Sequence, residues 1–455
     1  MILALLYLVL FSAIALGFFA QTNLGAQVST NEEYVLEAQV ASESGLQFLR
    51  YQLSRVTIDV TVPGDQIFER IYNQLSARLE GTPNMGTQIV GYVPTPGAKA
   101  INIPSLANQY IPLKSDGTQF RATITELAGG RIRVASTGRA RGGAVARSIA
   151  MDFIESPKRA VMDYGVATRG TVELNARSAI RGATDPTRGK VFSTYTSVSK
   201  PIQMNGSATA LISGHVYLTH LTGSVGGSGT IAGESTPSNW GPYIHANTPA
   251  PEFPVADPQP FIDYLVGRET LITGNNSASY LANIRIKAGC NPTLSGGGTY
   301  EGVILIEAPN QVTFTPGCTI RGVIVVANPT EATATNKITF NGATVFQGTQ
   351  TLSDAFGSLK TLTGSSIVAP NFQVDFAGAS GSVLSGATLV KGLSLSLNSV
   401  MTFNIPVLAT GTGLTYLSSD SVIKIAGDPP ASIPAGFRFS HSYAPHPATY
   451  LEVAP

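Results

Sequence analysis

The sequence has 455 residues, only 13% of them charged, with a formal net charge of +1, 47 glycines and two cysteines. So few charges beside 43% hydrophobic residues exclude a disordered chain, which needs low hydrophobicity and high net charge. The near-neutral total gives no global electrostatic footprint for nucleic acid, and two cysteines fit an exported chain with at most one disulfide.

Residues 1–20 (MILALLYLVLFSAIALGFFA) form an apolar block interrupted only by Ser12 and Gly17; the first charge is Glu32 and the first basic residue Arg50. Twenty helical residues span about 30 Å, enough to cross a bilayer. A secretory signal would open on Lys or Arg and close at a small-residue cleavage site, so this block reads as a retained helix. Residues 23–56 lack proline, and Val35, Ala38, Ser42, Leu46, Leu49, Leu53 and Val56 recur every three or four positions. That spacing predicts an amphipathic continuation of the same helix, a rod of about 80 Å. No globular core requires such a rod; a filament does.

Three features of this region resemble type IV pilin-like proteins, in particular the PilX-like minor pilins. They are Ala4-Leu5-Leu6 in the span, the polar break 21–30, and Ala41-Ser42-Glu43-Ser44-Gly45-Leu46. The resemblance covers about 55 residues. It implies a prepilin cleaved after a glycine by a membrane peptidase, and helices that bundle in a filament core. No basic leader with its glycine precedes the span, so a processed terminus and a true start at Met1 both stay open. Leu5 stands where major pilins usually carry glutamate. The filament-core residues implied are Leu5, Leu6, Leu8, Leu10, Phe11, Ile14, Phe18 and Phe19.

A small α+β head is expected over 57–160. Residues 65–80 place Ile67, Ile71, Leu75 and Leu79 every four positions, a helix ending at Gly81. Strands are expected at 120–127, 131–138 and 144–154, with Ala128-Gly129-Gly130 turning the first pair.

From 161 to 430 the dominant signal is a repeat. Gly317-Cys318-Thr319-Ile320, Gly342-Ala343-Thr344-Val345, Gly364-Ser365-Ser366-Ile367 and Gly386-Ala387-Thr388-Leu389 start 25, 22 and 22 residues apart. Weaker copies begin at Gly297 and Gly411. Units this short, with strand-like runs such as Val303-Ile304-Leu305-Ile306, predict a parallel β-helix, a solenoid whose tiers stack about 4.8 Å apart. The Pro-rich segment 236–268 is expected to break the ladder as a cap or lateral loop, with a ligand loop on Trp240, Tyr243 and His245 as the sharper alternative. Residues 431–455 read as a tail holding His441 and His446. The fold class is therefore mainly β with one long N-terminal α-helix.

Catalysis has little support. Between 270 and 410 the acidic residues are Glu301, Glu307, Glu331, Asp354 and Asp375, no two at one repeat position, where β-helix lyases and hydrolases need clustered carboxylates. His215 and His220 are five apart on a strand-like run and so face opposite ways, which argues against a metal pair. No cofactor motif is present. Cys290 and Cys318, 28 residues apart, are a candidate disulfide between neighbouring tiers, with two buried thiols as the alternative.

Residues 131–190 hold twelve basic and five acidic side chains, Arg131, Arg133, Arg139 and Arg141 among them, while the helix carries Glu32, Glu33, Glu37 and Glu43. Such complementarity would orient neighbouring subunits in a homo-oligomeric filament. Two function classes fit these features. One is a structural subunit of an extracellular pilus-like filament, inserted in the inner membrane before the pilus assembly machinery builds it in. The other is a membrane-anchored or pilus-tip adhesin that binds surface glycans.

Overall fold

The computed structural model describes residues 2–143, 145–206, 209–330 and 335–454, without the side chains of residues 2–5 and 7. The Leu5 side chain, Ala144 and Glu331 thus lie outside the described residues. The chain divides into two compact units, Met1–Lys158 with Ser440–Pro455, and Arg159–Phe439.

The first unit is built on one helix, α1 (Ile2–Ser54). Its second half packs because Ala38, Ser42, Leu46, Leu49 and Leu53 stand on one face, and all are buried. They meet an eight-stranded antiparallel sheet in the order Gly91–Val93, Ala100–Ile103, Gln119–Glu126, Ile132–Arg139, Ala146–Pro157, His441–Pro445, with Ile111–Pro112 beside Gln119–Glu126 and Leu451–Val453 beside Ala146–Pro157. Two glycines set how close the helix lies. A side chain at Gly138 would collide with the backbone of Ala38 and Ser42, and one at Gly45 with Phe120 and Ser136. A second helix, α2 (Ile67–Leu79), buries Phe68, Ile71, Leu75 and Leu79 and stops before Gly81, which takes φ +73°.

The expected tail is no tail. His441–Pro445 pairs with residues 153–157 and Leu451–Val453 with 148–150, so the segment after residue 439 supplies two strands of the head sheet. His441 also exchanges backbone hydrogen bonds with Ile58, at 2.9 and 3.1 Å. Tyr443 is 2% exposed among the head's apolar side chains.

The second unit is dominated by one continuous parallel sheet of 25 strands. Its register is clearest where Thr299–Ile306 lies on Thr319–Val326 over eight successive pairs. One ladder follows the whole stack: Thr270, Ile284, Ile304, Ile324, Ile367, Thr388, Val407, Val166, Val191, Val216, Ile244. The residue numbers climb, fall back at Val407 to Val166, and climb again. The order of tiers is therefore permuted relative to the sequence: the last tier sits against the first, at mid-stack.

This order gives the Pro-rich segment a different role from the expected ladder-breaking loop. Residues 232–243 cover one end of the stack, with Trp240 3% exposed and its Nε1 donating to Glu234 O at 3.0 Å. The chain then returns towards the opposite end. Thr248 N bonds Leu218 O, Val255–Ala256 pairs with Phe437–Arg438, and α3 (Gln259–Leu265) leads into Thr270–Ile272. Along the way Phe253, Phe261 and Leu265 join one buried apolar cluster with Val303, Leu305, Val323 and Val325, while Ile304, Ile306, Ile324 and Val326 belong to the interior cluster. Burial of both faces explains why these strands are continuous apolar runs.

Two further expectations are corrected by register. Gly342-Ala343-Thr344-Val345 lies beside Gly317-Cys318-Thr319-Ile320 but one residue out of register, with Val345 opposite Thr319, and Gly364-Ser365-Ser366-Ile367 and Gly386-Ala387-Thr388-Leu389 belong to the column of Ile324. The cysteines are free, not bridged. Thr319 N bonds Gly298 O, so the neighbouring tier presents Gly298 near Cys318 and places Cys290 elsewhere. Cys318 is buried against the Thr344 hydroxyl, 3.4 Å away, and burial pushes its thiol pKa up.

Inside the stack Phe314, Phe340 and Phe376 form a ladder, each neighbouring pair with centroids 4.9 Å apart and planes 13° from parallel. Phe340→Ala, which removes the middle ring, is expected to cost about 3–5 kcal/mol, read as a lower denaturation midpoint for the second unit's transition.

Candidate functional site

The feature that sets this chain apart chemically is the first half of α1. It carries no charge before Glu32, and Leu6, Leu8, Leu10, Phe11, Ile14, Phe18 and Phe19 are each at least 44% exposed. With Val9 and Leu16, which are also exposed, these side chains point in every direction around the axis, so the segment is a cylinder, not a stripe. A helix apolar on all sides is at rest only inside lipid or among other helices. Beyond it Leu24, Val28, Leu36 and Val40 stay exposed, while Ala38, Ala41 and Leu46 are buried. The apolar surface thus continues past the cylinder, along the part of the helix that is docked. Beside Leu36 and Val40 lies an open groove of about 400 Å³ completed by Ala41, Leu113 and Lys114.

The charge complementarity expected between subunits is spent largely within one chain. Arg141 pairs with Glu33 and Glu37 of its own α1, and its guanidinium lies 5.6 Å from the Tyr34 ring centroid. Glu33, then Glu37, raises the Arg141 pKa above its ordinary value. Arg133 pairs with Asp152 on the adjacent strand at 2.7 Å, a bond that likewise raises its pKa. Arg139 donates to Gly143 O and lies over Tyr110, and Arg131 donates to Ala128 O. Glu43 accepts from Gln39 and from the Tyr450 hydroxyl, and Glu32 lines an exposed groove with Val28, Val35 and Leu36. The pairs orient the helix on its own head.

The described carboxylates between residues 270 and 410 are paired with cations: Glu301 with Arg321 at 3.0 Å, Glu307 with Arg285 at 2.7 Å, Asp375 with Lys337, and Asp354 with Lys360 at 2.6 Å. Among the described residues no group of three or more His, Cys, Asp or Glu side chains could hold a metal ion. The aromatic trio of the Pro-rich segment is packed away. Trp240 is buried, Tyr243 meets the ring of His215, and His245 stacks on His215 and Tyr217. Among the described residues Tyr280 is the exposed aromatic of this unit, and its hydroxyl is bonded to Glu301.

Sequence reasoning missed the glycine contacts under α1 and the contact of the half-buried His441 with the buried Tyr443. Gly138 inside a strand pattern was the available signal, because such a glycine marks close backbone approach. Burial lowers the His441 pKa, against the opposing pull of Glu155 3.7 Å away.

Neither a protein-family model nor a curated protein matches this sequence. Among solved structures it is similar to the competence-associated pilin ComZ from Thermus thermophilus, at 12% identity over 92% of this chain and 97% of that one, with a TM-score of 0.33. An overlap that low establishes no shared fold.

Gly138→Val is expected to undock the second half of α1 at a cost of about 3 kcal/mol or more, because backbone on both sides blocks relief. Arg141→Ala should leave the docked helix in place, its pairs being solvent-screened. Amide exchange over residues 38–53 separates the two: protection collapses in the first variant and survives in the second. His441 gives a pH signature. Its native pKa is depressed, so the unfolded chain binds more protons, and head stability is full above about pH 6.5 and falls as pH drops below that. Urea midpoints between about pH 7 and pH 5 should show the decline, and His441→Gln should flatten it.

Proposed function

We propose that this chain is a structural subunit of an extracellular, type IV pilus-like filament. The observation that carries the reading is the uncharged apolar cylinder of α1, continuous with a docked half on the same helix. Its length suits the hydrocarbon core of a membrane before assembly. Afterwards the same surface would be covered by the α1 helices of neighbouring copies, each bare segment replacing lipid for the next. Burial at about 25 cal/mol per Å² makes such a contact the dominant attractive term. Electrostatics have the lesser part, since Arg141, Glu33 and Glu37 are already engaged within the chain.

In this reading the partners are further copies of the chain and a membrane assembly machinery, and no cofactor takes part. The second unit is read as a parallel β-helix displayed from the filament. Its permuted tiers resist unfolding from an end, because the first and last tiers are clamped at mid-stack. The adhesin alternative draws less support: Trp240 is buried, and stacked sugars need exposed rings.

Filaments sheared from cells making this chain, imaged by electron cryomicroscopy, test the reading. The expected result is a helical polymer whose core contains Leu8, Phe11, Ile14 and Phe18 at subunit contacts. A chain that stays in the membrane as a monomer, absent from sheared material, would make α1 a simple anchor.

A further inference from the structure

The point at which the second unit leaves the head sheet is unusual in its geometry. Pro157 stands opposite His441 in an antiparallel ladder, and Lys158 N donates to Ser440 O at 2.9 Å. Arg159–Phe439 is therefore, in topology, the loop of a hairpin whose two strands belong to one sheet. A hairpin loop needs only two residues.

We propose that Arg159–Phe439 is an exchangeable display module inserted at this hairpin, and that Met1–Lys158 with Ser440–Pro455 carries folding and assembly alone; the assembly clause rests on the filament reading above. The permuted tiers are the strongest support. Tiers stacked in sequence order would leave the first and last about 48 Å apart, whereas residues opposite each other in a ladder lie about 5 Å apart. Setting Val407–Ala409 against Val166–Thr168 removes the conflict, since both ends of the unit then emerge at one level. Folded domains are tolerated as insertions when their ends are close.

The composition of the cores agrees. The head's apolar cluster draws on residues 46–153 and Tyr443, and the second unit's clusters on residues 161–439, with none shared. The head also depends on chain that follows the insertion, through Tyr443, the His441–Ile58 backbone pair and the Thr449 hydroxyl that accepts from Asp152 N at 2.8 Å. An appended domain would not need its host to resume.

The test replaces Arg159–Phe439 by Asn-Gly and compares the product with the intact chain, both in detergent, by hydrogen exchange at Ile101, Ile124, Val134 and Ile149. Unchanged protection at these four supports the proposal, and its loss overturns it. In the intact chain, Phe340→Asp should abolish protection in the second unit and leave the head's as it was; loss in both units together overturns autonomy without any deletion. Assembly is scored separately in sheared filaments. If the intact chain assembles and the folded excised one does not, the assembly clause is overturned. If neither assembles, the filament reading fails while exchange still decides the insertion.

Discussion

The antiparallel pairing of Pro157 with His441 constrains more of this molecule than any other single contact. It fixes the two ends of a large β-rich unit side by side, and a parallel stack is poorly suited to that because each tier advances the chain along one axis. The conflict is resolved by running the stack in two pieces. The sequence first builds from Val166 towards Ile244, then crosses back and builds from Thr270 up to Val407, beside the strand where it began. The crossing has its own requirement, since a segment laid along a sheet must bury something. Phe253, Phe261 and Leu265 meet that requirement by joining the buried cluster on the outer faces of these strands. Hairpin, permutation, return segment and two-faced strands form one chain of consequences.

The long helix obeys a different logic. Its second half is held by shape: Gly45 and Gly138 let helix and sheet approach until no side chain fits between them, and Leu46, Leu49 and Leu53 fill the space alongside. Ion pairs decorate this contact without supplying it, because Arg141 and Glu33 are solvent-exposed and water screens such pairs. The first half stands exposed. One helix thus presents a saturated surface and an unsatisfied one in series, and rigidity passes from one to the other through an unbroken run without proline.

Much of the helix and head was legible in the sequence, because their signals are local. Ala38, Ser42, Leu46 and Leu49 lie within three turns, and the period-four pattern of Ile71, Leu75 and Leu79 needs no distant partner. The parallel character of the second unit was legible too, from the spacing of Gly317 and Gly342. Register was not. The excursion at residues 348–362 lengthens one tier, so glycine-led motifs of similar wording fall into different columns, and spelling alone groups Gly364 with Gly317. The permutation left no local trace, since nothing near Val407 names Val166 as its neighbour. The last strands were hidden for a related reason: His441–Pro445 is proline-ended and short, and only a partner strand far earlier in the chain makes it a strand. In the site the apolar residues of α1 were readable, while the glutamate and arginine pairs were not assignable within or between subunits, because sequence does not say which copy answers a charge.

The filament reading sets a further condition, that a subunit held at high density in a polymer present one sticky surface and suppress the rest. Parallel stacks carry an intrinsic hazard here, because each end is a strand edge able to recruit another chain. In this unit the two terminal strands of the long ladder are Thr270–Ile272 and Ile244–His245, three and two residues long. Residues 232–243 fold over the second end with Trp240 as the plug, and beside the first end Glu269 and Arg285 set charges next to the strand. Short, plugged and charged edges offer little template for strand addition. The bare helix, by contrast, has no charge for thirty-one residues. On the filament reading, association would be directed to α1 by what the sheet edges withhold as much as by what the helix exposes.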